Sequence, residues 1–512
     1  MMGRRRFLKL CTWTTGAIAM SAAAEPAGSR KDAFASSEEG KGVLHLTATD
    51  VIEAIRRGSL SAEDYARSLL EQQQRLGSLD TVISISADQV LTAARHVDQQ
   101  RRSGQPLGPL AGLPLLVKDN IDAVGFPTTA GTPGLLRNVP KTNAPVLQRL
   151  LDGGAILFAK ANMHELAFGI TSHNYYFGAV RNPYDPSLIP GGSSGGPAAG
   201  VAARTCPAAL GTDTGGSVRI PAALCGLVGF RPTKGRYPTD RIVPISHTRD
   251  TPGPITRTVA DAALLDAIET GGEQAQPRLL RGLRLGIPRN PFWRDLDPDV
   301  VAVTENALDR LREQGVELVE ADIPEVSTLD QQSGFPIALF EFRVDLPRYL
   351  ANEGTGISYD YVVSHIASPD VRAAVVSAER VTQAQYDQAI KVFRPELQDR
   401  YARYFTDNRV AAMLMPTTIL PARPIGEDQT VALNGQQVPT FATYIRNTDA
   451  DAVAGIPGLS VPVGLTRSGL PVGLELDGPS GSDTTLLGIG RALETEVFRP
   501  LRAPNLAVAE ST

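Results

Sequence analysis

Read as apolar and polar positions, the chain opens with helices. Val51, Ile52 and Ile55 recur at helical spacing just after Thr49-Asp50. Ser61-Ala62-Glu63-Asp64 has the layout of a capped helix start. A further amphipathic helix is predicted over residues 87–100. The pattern changes at Leu113. Short apolar runs at 113–117, 155–159 and 208–210 then alternate with helix-like runs at 144–151 and 196–204, the signature of a mixed α/β sheet with crossover helices. From about 270 to 410 the sequence turns more helical and more charged, with two or three helical patterns in 370–405. Strand-like runs return at 410–415 and 470–476. That late return favours an α/β fold: one large domain over 45–505, a mixed β-sheet covered by helices on both faces, with a helical excursion at about 290–410. A division into two domains near 270 is the alternative.

Composition narrows the function. With 512 residues and 42% apolar side chains the chain can fill a large core. Against 55 acidic residues it has 50 Lys and Arg, a net charge of −5, which argues against a nucleic-acid partner. Three cysteines exclude a disulfide scaffold. Beyond the N-terminus no uncharged apolar run reaches 18 residues, which excludes a polytopic membrane protein.

The N-terminus reads as an export signal. Arg4-Arg5-Arg6-Phe7-Leu8-Lys9 precedes a weakly apolar stretch at 10–20 and Ser21-Ala22-Ala23-Ala24, a basic region, an apolar region and a small-residue cleavage site in that order. The order Arg-Arg-x-Phe-Leu-Lys resembles a twin-arginine signal. The expectation is a signal at 1–24, a flexible leader at 25–44, the twin-arginine export machinery as a partner during transport, and a periplasmic or secreted protein. Cleavage after Ala24 removes four basic residues and no acid, which takes the net charge to −9 and leaves Cys206 and Cys225.

Candidate chemistry concentrates in two glycine-rich stretches, Pro190-Gly191-Gly192-Ser193-Ser194-Gly195-Gly196-Pro197 and Gly211-Thr212-Asp213-Thr214-Gly215-Gly216-Ser217-Val218-Arg219. A P-loop needs G-x-x-x-x-G-K-[ST], which is absent from the sequence. Residues 191–195 satisfy the G-x-S-x-G pattern, but a nucleophile elbow needs a strand leading into the serine, and Pro183, Pro186 and Pro190 forbid one. His164-Glu165 has no second histidine at zinc-helix spacing. The six histidines favour no serine–histidine order, and each reads as a surface or core residue.

A lysine fits better. Leu113-Pro114-Leu115-Leu116-Val117 reads as a buried strand that ends in Lys118-Asp119-Asn120. A charged lysine there is expensive unless paired or neutral. A lysine base needs its pKa brought from about 10.4 to near 7, worth roughly 4.6 kcal/mol, and burial can supply that. Two glycines before Ser217 also leave the backbone free to turn N–H groups toward a substrate oxygen.

These stretches together resemble the amidase signature family of Ser-Ser-Lys amide hydrolases. The signature core lies at 112–254, and further matching pieces are Asn162-Met163-His164-Glu165, Gly226-Leu-Val-Gly-Phe-Arg-Pro-Thr233 and Ala454-Gly-Ile-Pro-Gly-Leu-Ser-Val-Pro-Val-Gly464. The resemblance implies Ser217 as nucleophile, Ser193 as a bridge with an unusual cis peptide bond, and Lys118 as base and proton donor to the leaving amine. It implies oxyanion N–H groups from Thr214, Gly215, Gly216 and Ser217. Asp213, Arg219 and Ser194 are expected to be structural supports, and no metal or cofactor is implied. Cys225 and Cys206 read as small buried hydrophobes.

The expected reaction is hydrolysis of a small carboxylic amide to carboxylate and ammonia or amine, through an acyl-enzyme. The stretches at 163–169 and 244–251 look like mandelamide and indoleacetamide hydrolases, which points to an arylacetamide. A peptide-amide or oligoamide hydrolase is the enzymatic alternative, and a non-catalytic periplasmic binding protein is the alternative from another class. The family's tRNA-dependent amidotransferase branch is disfavoured by the export signal and acidic chain. Substrate choice is expected to lie in 320–450, where Phe335, Phe340 and Phe342 are candidates for an aromatic pocket but read better as core. Homodimerisation is left open.

Overall fold

The computed structural model describes residues 42–506 apart from 499 and 502. The expected signal at 1–24 lies outside the described residues, as does most of the expected leader. Eleven strands form one sheet: β1 (Val82–Ile85), β2 (Pro114–Lys118), β3 (Ile156–Ala161), β4 (Ala208–Asp213), β5 (Val228–Arg231), β6 (Thr251–Thr256), β7 (Arg284–Ile287), β8 (Glu317–Glu320), β9 (Ala412–Pro416), β10 (Gly458–Leu465) and β11 (Pro471–Asp477). Their spatial order is β1-β3-β2-β4-β6-β5-β10-β11-β9-β7-β8. β3, β2 and β4 run parallel, as do β9, β7 and β8, while the middle of the sheet from β4 to β9 is antiparallel. Strands from both ends of the sequence thus share one sheet, and the two-domain alternative fails.

Helices cover both faces because successive side chains of buried strands point to opposite sides. Leu116 packs with the helices Ala62–Arg75, Ala87–Arg102 and Gly195–Ala202 on one face. Leu115 and Val117 pack with Pro145–Asp152 and Val259–Thr270 on the other. Further along, Leu414 faces Pro298–Glu313 and Asp483–Glu496, while Met413 and Met415 face Val326–Asn352 and Arg394–Asn408.

Two boundaries differ from expectation. The helical stretch at 290–410 is interrupted by β8, whose Glu317 and Glu320 leave only Leu318 and Val319 as an apolar signal. Helix Pro298–Glu313 is therefore a crossover that packs on the sheet, and the uninterrupted helical excursion starts at Val326. The flexible leader ends sooner than 44, because Val43 and Leu44 already pack against the core.

The same alternation places Lys118 on the face of Leu116, under the helix Gly195–Ala202. That helix comes very close to its neighbours at Gly196, where an added Cβ would strike the Asn162 carbonyl and lie 2.7 Å from both Asn162 N and Thr81 O. All three are backbone atoms that cannot swing away. Gly196→Ala is expected to lower unfolding free energy by about 3 kcal/mol in urea titration; an unchanged midpoint would contradict the demand for glycine at this position.

Candidate active site

Lys118 ends β2 fully buried, with its Nζ 2.8 Å from Ser193 Oγ, 2.8 Å from Thr212 Oγ1 and 3.3 Å from the Thr212 carbonyl. Asn120 Nδ2 donates to the same Thr212 Oγ1 at 3.0 Å. Although Asp119 is next in sequence, its carboxylate serves Lys160, at 3.3 Å, and the Thr129 hydroxyl and N–H. Two lysines are therefore buried here with different partners, and burial pushes both amines down. Lys160 faces a carboxylate, whereas Lys118 is hydrogen-bonded to hydroxyls and a carbonyl. Burial pushes the Lys118 amine down to about 7, with Asp213 and Asp250 pulling more weakly the other way.

Ser193 sits in the glycine-rich loop ahead of helix Gly195–Ala202, and the Gly192–Ser193 peptide bond is cis. Its carbonyl accepts from the His164 N–H at 3.1 Å and from Ser172 Oγ at 3.4 Å. The next residue fastens this loop to the other one: Ser194 N–H donates to the Ser217 carbonyl at 3.2 Å, and Ser194 Oγ to the Thr212 carbonyl at 3.2 Å. Ser217 is half-buried while Lys118 and Ser193 are sealed off, so the three are graded from interior to solvent.

The loop carrying Ser217 is shaped by Asp213. Its carboxylate accepts from the N–H groups of Gly216 (2.8 Å) and Val218 (3.0 Å) and from Arg219 and Arg231. Burial disfavours its charge, yet the two guanidinium groups hold it well below the usual carboxylate range. Gly216 has φ of +119°, and a Cβ there would strike Thr448 Oγ1, so both backbone and space demand glycine. One expectation needs correction: the Gly216 N–H is engaged by Asp213, which leaves Thr214, Gly215 and Ser217 as the oxyanion candidates. Thr214 is held from both sides, its hydroxyl donating to Asp250 at 2.6 Å and its carbonyl accepting from Arg249 at 3.2 Å.

Arg219 is the hub of a fully buried charge network. It reaches Asp213, Asp451 at 2.6 Å, Glu475 and the Thr448 carbonyl. With Asp477, four buried carboxylates share the guanidinium groups of Arg219 and Arg231 among the described residues, a balance that favours retained protons. Burial pushes Glu475 up to about 8 and Asp451 up to about 6, and raises Asp477 as well.

Sequence reasoning missed Thr212 and Asn120 as partners of the lysine. Asn120 adjoins the Lys118-Asp119 pair and Thr212 precedes Asp213, but nothing local marks their meeting across 92 residues. The histidines do not enter this group: His164, His173 and His247 pair with Asp370, Asp428 and Asp345. Cys206 and Cys225 are free and buried, as small hydrophobes are. Phe342 lies in the core, Phe340 stacks on Tyr386, and Phe335 is exposed, so the three line no common pocket.

The Amidase family model matches residues 64–487. The chain belongs to the amidase family. It is 46% identical over 450 residues to an indoleacetamide hydrolase of Rhizobium radiobacter, covering 87% of this chain and 96% of that relative. It is 41% identical over 472 residues to a mandelamide hydrolase of Pseudomonas putida, covering 89% and 92%. Its fold matches the crystal structure of an amidase at a TM-score of 0.80, with 31% identity over 88% of this chain and 99% of the other. The peptide amidase of Stenotrophomonas maltophilia superposes at 0.79, with 29% identity over 90% and 99%. This amidase therefore hydrolyses amides, acting on C–N bonds other than peptide bonds.

The charge hub gives a sharp expectation. Arg219→Met leaves buried carboxylates uncompensated and should cost about 3–5 kcal/mol of stability at pH 8. Carboxylates with folded pKa raised above the unfolded value lose stability as pH rises from about 4.5 to 8. The deficit should therefore shrink at pH 5.5, in paired urea titrations; a deficit equal at both pH values contradicts the buried-charge account.

Proposed function

We propose that this amidase hydrolyses a small arylacetamide to the arylacetate and ammonia, using Ser217 as nucleophile, Ser193 as proton bridge and Lys118 as base. The carrying observation is a buried lysine, held near pKa 7 and 2.8 Å from Ser193 Oγ, behind the loop that presents a half-buried serine. The substrate class rests on the indoleacetamide and mandelamide hydrolases to which the chain is similar.

At neutral pH a large fraction of Lys118 is the free amine. It takes the proton of Ser193, which takes that of Ser217, as Ser217 Oγ attacks the amide carbon. The carbonyl becomes an oxyanion facing the Thr214, Gly215 and Ser217 N–H groups, each such donor being worth about 2.7–4 kcal/mol in the transition state. The proton then returns through Ser193 to the nitrogen, the C–N bond breaks and ammonia leaves. Water, activated by the same relay, attacks the acyl-enzyme, releases the carboxylate and restores Ser217. Thr212 and Asn120 hold the amine without a charge that would keep it protonated.

Ser217→Ala should remove turnover by at least about 10⁴-fold and abolish fluorophosphonate labelling; retained turnover sinks the mechanism. For the wild type, kcat/KM on phenylacetamide should fall about tenfold per pH unit below pH 7, as Lys118 protonates. A flat profile from pH 5 to 9 is the contrary result.

We further propose export through the twin-arginine route, on the strength of Arg4-Arg5-Arg6-Phe7-Leu8-Lys9. Arg4→Lys with Arg5→Lys should retain the full-length chain in the cytoplasm of a Gram-negative host. Equal periplasmic yield of both forms on cell fractionation would refute this.

A further inference from the structure

Phe335 is an unusual residue for its position. It belongs to the long helix Val326–Asn352, yet its ring is 43% exposed, while Ile337, Phe342 and Leu346 of the same helix are buried. Its ring meets that of Phe441, with centroids 5.6 Å apart and planes at 58°. Single exposed aromatics need no explanation; this pair stands beside the loop that carries Ser217.

Three contacts fix that placement, the first two through the Arg249–Asp449 ion pair. Arg249 donates to the carbonyl of Gly334, the neighbour of Phe335, at 2.6 Å and to the carbonyl of Thr214 at 3.2 Å. The two carbonyls are thus no farther apart than one guanidinium and its hydrogen bonds allow, about 8 Å. The Asp449 carboxylate fits between the same elements: a Cβ on Gly334 would lie 2.7 Å from Oδ2, and one on Gly215 would lie 2.5 Å from Oδ1. Finally, Ile445 Cδ1 lies 2.9 Å from where a Gly215 Cβ would stand, and Phe441 is one helical turn before Ile445 on the short helix Thr440–Ile445. Phe441 and Ile445 are each only partly buried.

We infer that Phe335, Phe441 and Ile445 form the subsite for the substrate's aryl group. In an arylacetamide a single sp³ carbon separates the ring from the carbonyl, so a ring seated on this rim leaves the carbonyl facing the N–H groups of Gly215 and Thr214. Aromatic rings favour tilted and edge-to-face neighbours, and the open angle between Phe335 and Phe441 offers a third ring such contacts. The inference rests on the arylacetamide reading above and assigns it to side chains on two helices that sequence motifs do not reach.

The test compares phenylacetamide with propionamide in wild type, Phe335→Ala and Phe441→Ala, each checked for an unchanged thermal midpoint. The ratio of kcat/KM for phenylacetamide to that for propionamide should fall at least tenfold in each variant, mainly through KM for the aryl substrate. Phe335→Tyr, which keeps the ring, should restore most of the ratio. Variants that keep the wild-type ratio overturn the subsite while leaving the arylacetamide reading intact. A wild type that turns over propionamide through Ser217 but not phenylacetamide overturns both.

Discussion

The structure turns on keeping a lysine uncharged in the middle of a protein. Lys118 lies fully buried at the end of β2, and its immediate partners are hydroxyls and a carbonyl. Burial resists charge there and pushes the amine down to about 7. This requires that Asp119, its neighbour in the chain, be turned away, and it is: Lys160 and Thr129 occupy that carboxylate. A carboxylate facing Lys118 would favour its charged form and work against the effect of burial.

The charges excluded from the relay are gathered behind it. Asp213, one residue beyond Thr212, is strongly ionised and draws the backbone of Gly216 and Val218 around itself, which sets the curve on which Ser217 stands. Arg219 and Arg231 keep Asp213 ionised, and Arg219 is anchored in turn by Asp451 on the short helix Asp449–Ala454 and Glu475 on β11. Residues more than 200 positions apart thus hold one loop. A buried network of this kind gives little net stability; here its return is the fixed geometry of the loop.

What could be read from sequence depended on how local the cause was. The buried strands showed as apolar runs, and the glycines showed where backbones must meet or turn. Lys118, Ser193 and Ser217 are singled out through the resemblance their motif order carries, and the structure brings Lys118 against Ser193. The other partners of Lys118 could not be singled out, since Thr212 and Asn120 are common residues whose roles exist only once β2 and β4 lie side by side. The engagement of the Gly216 N–H is local, by Asp213 three residues earlier, but which way that carboxylate turns is fixed only by the loop's folded curve. Strand β8 was hidden by its two glutamates, and Phe335 looked like core because sequence shows that a helix is apolar but not which of its residues a neighbour leaves uncovered.

The central claim is that burial brings the Lys118 amine close to neutrality, and it can be observed without turnover. In protein carrying ¹³C at the lysine ε-carbons, with Lys118 assigned by comparison with Lys118→Arg, its resonance should titrate with a midpoint near pH 7. A Lys118 that stays an ammonium ion through pH 9 would contradict the account.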